Sequence, residues 1–410
     1  MRGPGLARVG SVAAIAGTLL LVFSGTWCGF PPDAHLAGAE KTVKKPAWRL
    51  AAWLDGSCAA AVEPWLNRNI GCRGIGIRTA NQINYSLFGR VPTSSGTPIL
   101  VGDDFWLYEA GYVRARAKPQ AMPEAAVKQL VQDLERMQTQ LARRGTAFVL
   151  VISPSKPEIV PEHLPAPLVA TTNEVLAKPS VYASGYEQLA GALRGSDIAT
   201  VDAHADFLQW KSDGVALFPP GGTHWNHYGA QRVLERVWQV LREQAAGVKL
   251  DELPSLTGYR MSAPAGTDVD LLKLLNLWWF EPGGPSPVPF PTLAEARPPR
   301  KPLRIAIVGD SFAYTLVDAL ARAGVTGTVD LFYYARRHFH YDLTVAGATP
   351  SPQDLGPVDH KQVPVHPGIR DADVVILEIN EHLVRSCGWG FPAAAARLLE
   401  SGDGTGNERE

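Results

Sequence analysis

Gly309-Asp310-Ser311 stands directly behind the apolar run Ile305-Ala306-Ile307-Val308 and ahead of a helical pattern. Such a run reads as a strand buried on both faces, which leaves the serine on the turn at its carboxyl end with the next helix's amino end beneath it. That placement suits a nucleophile, and it also suits a helix cap. A serine hydroxyl is un-ionised at neutral pH and needs a base within hydrogen-bond reach. Pro219-Pro220-Gly221-Gly222-Thr223-His224-Trp225-Asn226-His227 supplies one in His224, on a turn-rich loop that leads into a helix beginning near Gly229. A second apolar run, residues 374–379, ends in Asn380-Glu381-His382. The side-chain amide of Asn380 can donate to the oxyanion that forms when a serine attacks an ester, while capping, or pairing with Arg385, is the plainer role for that cluster.

These residues must be positioned by a sheet. Val127, Leu130, Val131, Leu134, Met137 and Leu141 recur at three- and four-residue steps behind Pro123, and Gly145 closes that helix. The apolar run 147–152 follows at once, and shorter or similar runs recur at 198–201, 303–308, 329–334 and 374–379, separated by helical stretches such as 229–243. Strands alternating with helices predict an α/β fold with a parallel sheet flanked by helices, and function at the carboxyl ends of its strands. Residues 251–302 break the pattern as a Pro- and Gly-rich insertion. Within it, Trp278 and Trp279 read either as a platform for sugar rings or, following the tendency of Trp to be buried, as part of a short helix packed on the core.

His338-Phe339-His340 with Asp342 places alternating metal-ligand types on one strand, but no further spaced His or Cys set accompanies them. No metal and no cofactor is expected. Arg336 and Arg337 beside them suit an acidic sugar instead.

The chain has 410 residues, with 39 basic and 40 acidic side chains and a net charge of -1. A balance this close to neutral gives no long-range field for nucleic acid, and no nucleic-acid motif is present. Length leaves one or two domains open. Arg2 and Arg8 precede an uncharged stretch, residues 9–32, rich in Leu and Val, which reads as an export signal or a membrane anchor. Ala37-Gly38-Ala39 offers a cleavage pattern, and both outcomes stay open. Trp27 before Cys28 does not fit a lipidated cysteine. In an exported chain Cys58 and Cys72 form the natural disulfide pair, leaving Cys387 as a lone thiol; the alternative is that all the cysteines are buried and reduced. The expected organisation is a signal or anchor in 1–40, one catalytic domain in 41–400 including the insertion, and a frayed polar tail in 401–410.

The segments together resemble a known family, the AlgJ/AlgX-like alginate O-acetyltransferases of the SGNH hydrolase superfamily. The resemblance runs from about Trp53 to about Leu399. It includes Glu63-Pro64-Trp65-Leu66 with Arg73, Val101-Gly102-Asp103-Asp104-Phe105-Trp106-Leu107-Tyr108, Ile152-Ser153-Pro154-Ser155-Lys156 and Pro161-Glu162-His163-Leu164-Pro165, besides the serine and histidine segments. The histidine segment precedes the serine segment, the permuted order of that family. The resemblance implies Ser311 as nucleophile, His224 as general base and Asn380 as an oxyanion donor. It further implies an exported or periplasmic enzyme that passes acetyl groups to a polysaccharide acceptor, the acetyl coming from a membrane-bound O-acyltransferase. An acetylesterase using the same residues, or a non-catalytic glycan-binding or assembly protein of the same fold, are the alternatives. One departure stands out. The family carries Asp two residues before this histidine, and here that position is Gly222. The imidazole must then be oriented by another carboxylate, with Asp202, Asp213, Glu378 and Glu381 as candidates, or work in a dyad.

Overall fold

The computed structural model describes residues 4–30, 32–38, 43–46, 50–89, 91, 98–166, 168, 183–244, 248, 250–280, 284–295, 301–344 and 350–402. They pack as two units, one made of 1–101 with 271–284 and the other of 102–270 with 285–410. The expected tail 401–410 lies outside the described residues from 403 onward, as does Ala39 of the cleavage pattern.

In the first unit, helix α1 (Pro4–Cys28) contains the apolar stretch Val9–Cys28, 20 residues with a mean hydropathy of 1.8. At 1.5 Å per residue that is roughly 30 Å, the thickness of a bilayer core, so its length suits a signal or an anchor. Val12, Ile15, Leu19 and Leu20 point outward, as they would into lipid. Helices α2 (Ser57–Asn69) and α3 (Arg73–Phe88) follow. They overturn the disulfide expectation: all four cysteines are free, with Cys58 buried. Cys58 lies in the first turn of α2 and Cys72 beyond its far end, so the intervening helix separates them by roughly 16 Å, too far for an S–S bond. Trp278 and Trp279 stand outside any helix, 44% and 65% exposed, with Arg78 over the Trp278 ring and the Trp278 indole donating to Thr79.

The second unit is built on a seven-stranded sheet. Helix α4 (Glu124–Arg143) precedes β1 (Ala147–Ser153) and β2 (Thr200–Asp202). Helix α5 (His227–Gln244) leads to a separate hairpin, β3 (Leu256–Ser262) with β4 (Val288–Leu293). Strand β5 (Leu303–Gly309) is followed by helix α6 (Ala313–Ala323) and β6 (Thr326–Tyr333). Then come β7 (Arg337–Asp342), β8 (Gln353–Pro357), β9 (Val374–Asn380) and helix α7 (Phe391–Gly402). The sheet order is β8-β7-β6-β5-β9-β1-β2, parallel from β6 through β2 and antiparallel at the β7 and β8 edge.

Every residue of β1 and β9 is buried, which explains why both read as apolar runs, β9 being interrupted by Glu378. Alternate side chains feed two cores. Val149, Val151, Ile305, Ile307 and Ile376 face α5 and α6 through Val233, Leu234, Val237, Leu316 and Leu320. Leu150, Ile152, Val308, Leu377 and Ile379 face α4 and α7 through Leu130, Leu134, Leu141 and Phe391. Each such side chain contributes about 1.5–3 kcal/mol by leaving water, so the central strands are rigid supports. Within the insertion, the β3–β4 hairpin departs from the sequence expectation. Pro289 and Pro291 sit at alternate positions of β4, opposite Met261 and Tyr259, where a missing N–H can face away from the partner strand.

Candidate active site

Strand β5 ends at Gly309, and Asp310 and Ser311 form the turn before α6. That turn is held from below. Asp310 accepts from the Phe312 N–H at 2.9 Å through one oxygen and from the Asn380 N–H at 3.0 Å through the other. Glu378 accepts from the Asp310 N–H at 2.9 Å and from the Ser153 hydroxyl at 2.5 Å. Both carboxyls are buried. Burial pushes Glu378 far up from the usual carboxylate range, and the charge of Asp310 adds to it, which favours its protonated form. A methyl on Gly309 would meet the Glu378 carboxyl at 2.9 Å, so the absence of a side chain lets the two strand ends close.

His224 arrives on a loop that the sequence fixes at both sides. Asn226 caps α5, accepting from the Gly229 N–H at 2.8 Å, and its own amide donates to the Ala216 carbonyl at 2.7 Å. Trp225, fully buried, donates its indole N–H to Thr315 on α6. Between these anchors the His224 ring packs edge-on against Phe312, 4.8 Å away. Its Nε2 lies 2.7 Å from Ser311 Oγ, and its Nδ1 lies 2.6 Å from Asp270 Oδ2. A carboxylate only accepts, so Nδ1 carries the hydrogen and Nε2 presents its lone pair to the serine hydroxyl. Asp270 is itself held, accepting from the Thr223 N–H at 2.9 Å through its other oxygen. Glu109 stands within electrostatic reach of His224 and Asp270, and burial raises its pKa above the usual carboxylate value.

Ser311 and His224 therefore meet, and the residue that orients the imidazole is Asp270, from inside the insertion. The four carboxylates expected for that role are engaged elsewhere. Asp202 caps a helix at Ala205 and accepts from Tyr186, Asp213 pairs with Arg232, Glu378 serves Asp310, and Glu381 accepts from the Ser155 N–H and pairs with His204. Asp270 precedes the Leu-rich stretch 271–275, broken by Lys273, and opens the short helix Asp270–Leu274; an acid before such a stretch marks a helix start, and nothing in it points to a histidine 46 positions away.

Asn380 also differs from expectation. Its amide nitrogen lies 3.3 Å from the carbonyls of Ser153 and Pro154, and its oxygen caps the next turn by accepting from the His382 N–H. Its side chain ties β9 to β1 instead of standing over the serine. Among the described residues none accepts from the Ser311 N–H, which leaves that group, at the amino end of α6, able to donate to an oxyanion.

His338 and His340, two apart on β7, both turn to one oxygen of Asp330 on β6, at 2.7 and 3.0 Å, and Asp342 accepts from Thr344. Arg337 pairs with Asp354 on β8. A cavity of about 500 Å³, lined by Arg116, Glu158, His204, Glu381 and His382, opens beside the carboxyl ends of β1 and β9 without including Ser311. Burial and the charge of Glu381 push Glu158 there up to about 7, against the pull of Arg116.

A mainly parallel sheet covered on both faces, with a serine, a histidine and an aspartate in line at its carboxyl rim, defines the class of SGNH-like α/β domains. Residues 99–323, more than half of the chain, match the family described as SGNH hydrolase-like domain, acetyltransferase AlgX, and the chain belongs to that family. It is similar to the probable alginate O-acetylase AlgJ of Pseudomonas aeruginosa, 26% identical over 191 residues that cover 46% of this chain and 44% of that one. The corresponding protein of Azotobacter vinelandii is 25% identical over 221 residues, 53% of this chain and 51% of its own. The chain thus spans about half the length of the curated relatives it matches. The solved structure of Pseudomonas aeruginosa AlgX aligns at a TM-score of 0.45 and 17% identity, covering 74% of this chain and 67% of the other.

Proposed function

We propose that this protein is an O-acetyltransferase working through an acetyl-Ser311 intermediate, with hydroxyls of a secreted polysaccharide as acceptors. The observation that carries the reading is the unbroken line from Asp270 through His224 to Ser311 Oγ, each contact within 2.7 Å. Ser311 Oγ attacks the carbonyl of an acetyl ester while His224 Nε2 takes its proton, and the Ser311 N–H with the amino end of α6 holds the oxyanion. The intermediate collapses, His224 returns the proton to the departing alcohol, and acetyl remains on Oγ. An acceptor hydroxyl then attacks, giving its proton to His224; the new ester leaves and Ser311 regains its hydrogen. Asp270 holds the ring and stabilises the imidazolium in both halves.

The names of the relatives support alginate as the first acceptor to try. The apolar helix α1 supports an exported or membrane-anchored, periplasmic setting; the donor partner we propose there is a membrane-bound O-acyltransferase. The test is to incubate the protein with an acetyl ester and alginate oligosaccharides and weigh the products. Acetylated oligosaccharide that disappears in Ser311→Ala is the expected result. Free acetate alone would move the reading to an esterase, and neither product would remove the catalytic reading.

A further inference from the structure

We propose that Lys156 is a positioning residue for the reaction, a fixed cation around which the His224 loop is folded and through which Asp270 is aimed. The proposal rests on the Ser311–His224–Asp270 reading. Lys156 follows β1 and is fully buried. Its Nζ donates to four backbone carbonyls, those of Leu107 at 2.7 Å, Pro219 at 2.7 Å, Pro220 at 2.9 Å and Gly222 at 2.8 Å. The rings of Trp106 and Tyr108 lie 4.8 and 5.1 Å from it, supplying cation–π attraction where a carboxylate would otherwise be needed.

Four oxygens around one nitrogen define its charge state. A neutral amine has two N–H groups and a lone pair, and that lone pair would point at a carbonyl oxygen. An ammonium has three N–H groups, one of them shared, and satisfies the set. Burial alone pushes the pKa of Lys156 down, with the charge of Asp270 opposing; the carbonyl dipoles supply the remaining stabilisation. The dependence is mutual, because three carbonyls from a four-residue stretch converge on one point and repel one another without a cation between them.

The peptide joining Gly222 to Thr223 shows where this leads. Its oxygen is held by Lys156 and its N–H donates to Asp270 Oδ1 at 2.9 Å, so one rigid plane is pinned at both ends. The other oxygen of Asp270 holds His224 Nδ1. Lys156 therefore sets the tilt of the plane that places the carboxylate that orients the base. A small rotation there displaces the imidazole from Ser311, and misplacement of that size has large kinetic consequences.

The test uses the full chain and the rate at which an arylsulfonyl fluoride modifies Ser311, measured against pH. In Lys156→Met, which keeps the apolar stem of the side chain and removes its charged end, we expect a rate about 100-fold lower and a displaced pH profile. Lys156→Arg keeps the charge but brings a flat guanidinium to four converging oxygens, so an intermediate rate and profile are expected; it also serves if the Met variant does not fold. A folded Met or Arg variant with the wild-type rate and pH profile overturns the proposal. Failure of the wild type itself to be modified at Ser311 would instead remove the underlying serine–histidine reading.

Discussion

Gly222 and the carbonyl of Thr267 occupy space that a side chain would need. A methyl group on Gly222 would stand 2.2 Å from the Thr267 oxygen and 2.9 Å from the Asp268 carbonyl carbon. The missing side chain beside His224 and the arrival of Asp270 are thus one arrangement: the backbone of 267–268 fills the place of a side chain at 222, and two residues later it delivers the carboxylate. Gly222→Ala should force that segment away and uncouple Asp270 from the imidazole. We expect a fall of about 100-fold in acetyl transfer, the scale of an ångström-sized misplacement. Gly222→Asp should be no better, since its Cβ meets the same oxygen. Rates for the two variants, with circular dichroism to confirm folding, check this.

Asp270 carries the second prediction. Asp270→Asn keeps the shape but offers Nδ1 either a donor or a weaker acceptor, favouring the wrong tautomer, and turnover should fall by roughly 10³- to 10⁴-fold. Asp213→Asn, at the partly exposed pair with Arg232, should leave turnover unchanged. Equal activity in the two variants would contradict the assignment of the orienting acid.

The protonated state of Glu378 is testable by isosteric replacement. A neutral carboxyl and an amide have similar shapes, and the Gln oxygen can still accept from the Asp310 N–H while its NH₂ takes the place of the oxygen beside Ser153, whose hydroxyl oxygen can accept from it. Glu378→Gln should therefore cost no more than about 1 kcal/mol in urea denaturation, whereas Glu378→Ala leaves a cavity and an unpaired buried N–H and should cost about 3 kcal/mol or more. A Gln variant as damaged as the Ala variant would mean that Glu378 is ionised.

The strands that carry the site were legible because they are buried on both faces: 147–152, 303–308 and 374–379 contain almost nothing polar, and each matches an observed strand within a residue or two. Ser311 and His224 were legible through local context, a strand end and a glycine-rich loop. Asp270 was not, because its pairing is made by a chain path through an insertion whose hairpin shows no clean alternation: β3 is largely exposed, and β4 is interrupted by Pro289 and Pro291. Asn380 was misread for a related reason. A polar residue at a strand end can face the site or cap the following turn, and only the neighbouring carbonyls of Ser153 and Pro154 decide between them.

His227, three residues past His224, yields a prediction about acid stability. It opens α5, is largely buried, accepts from the Arg322 guanidinium at 3.3 Å and lies 5.3 Å from the Phe290 ring. Burial, with the charge of Arg322 behind it, brings its pKa down to about 4. Asp318, 3.8 Å away, offers no counter-charge in acid, because burial raises its own pKa to about 6 and it takes up a proton over the same range. The unfolded chain binds a proton at this histidine below about pH 6.5 and the folded chain only near 4, so stability falls as pH drops between those values. The loss attributable to this one group approaches about 3 kcal/mol at pH 4. His227→Asn retains an acceptor for Arg322 and cannot titrate, so its urea midpoint should change less with acidification than that of the wild type. Asp268 and Asp318, whose raised pKa values favour the folded state as pH falls, are present in both proteins and drop out of the difference. Because the hydrogen bond and ion pair of His227 run to Arg322 and Asp318 and not to the serine or its orienting acid, modification of Ser311 at pH 7.5 should be the same in both. Parallel urea midpoints from pH 7 down to pH 4.5 would show that the folded protein accommodates the imidazolium at this position.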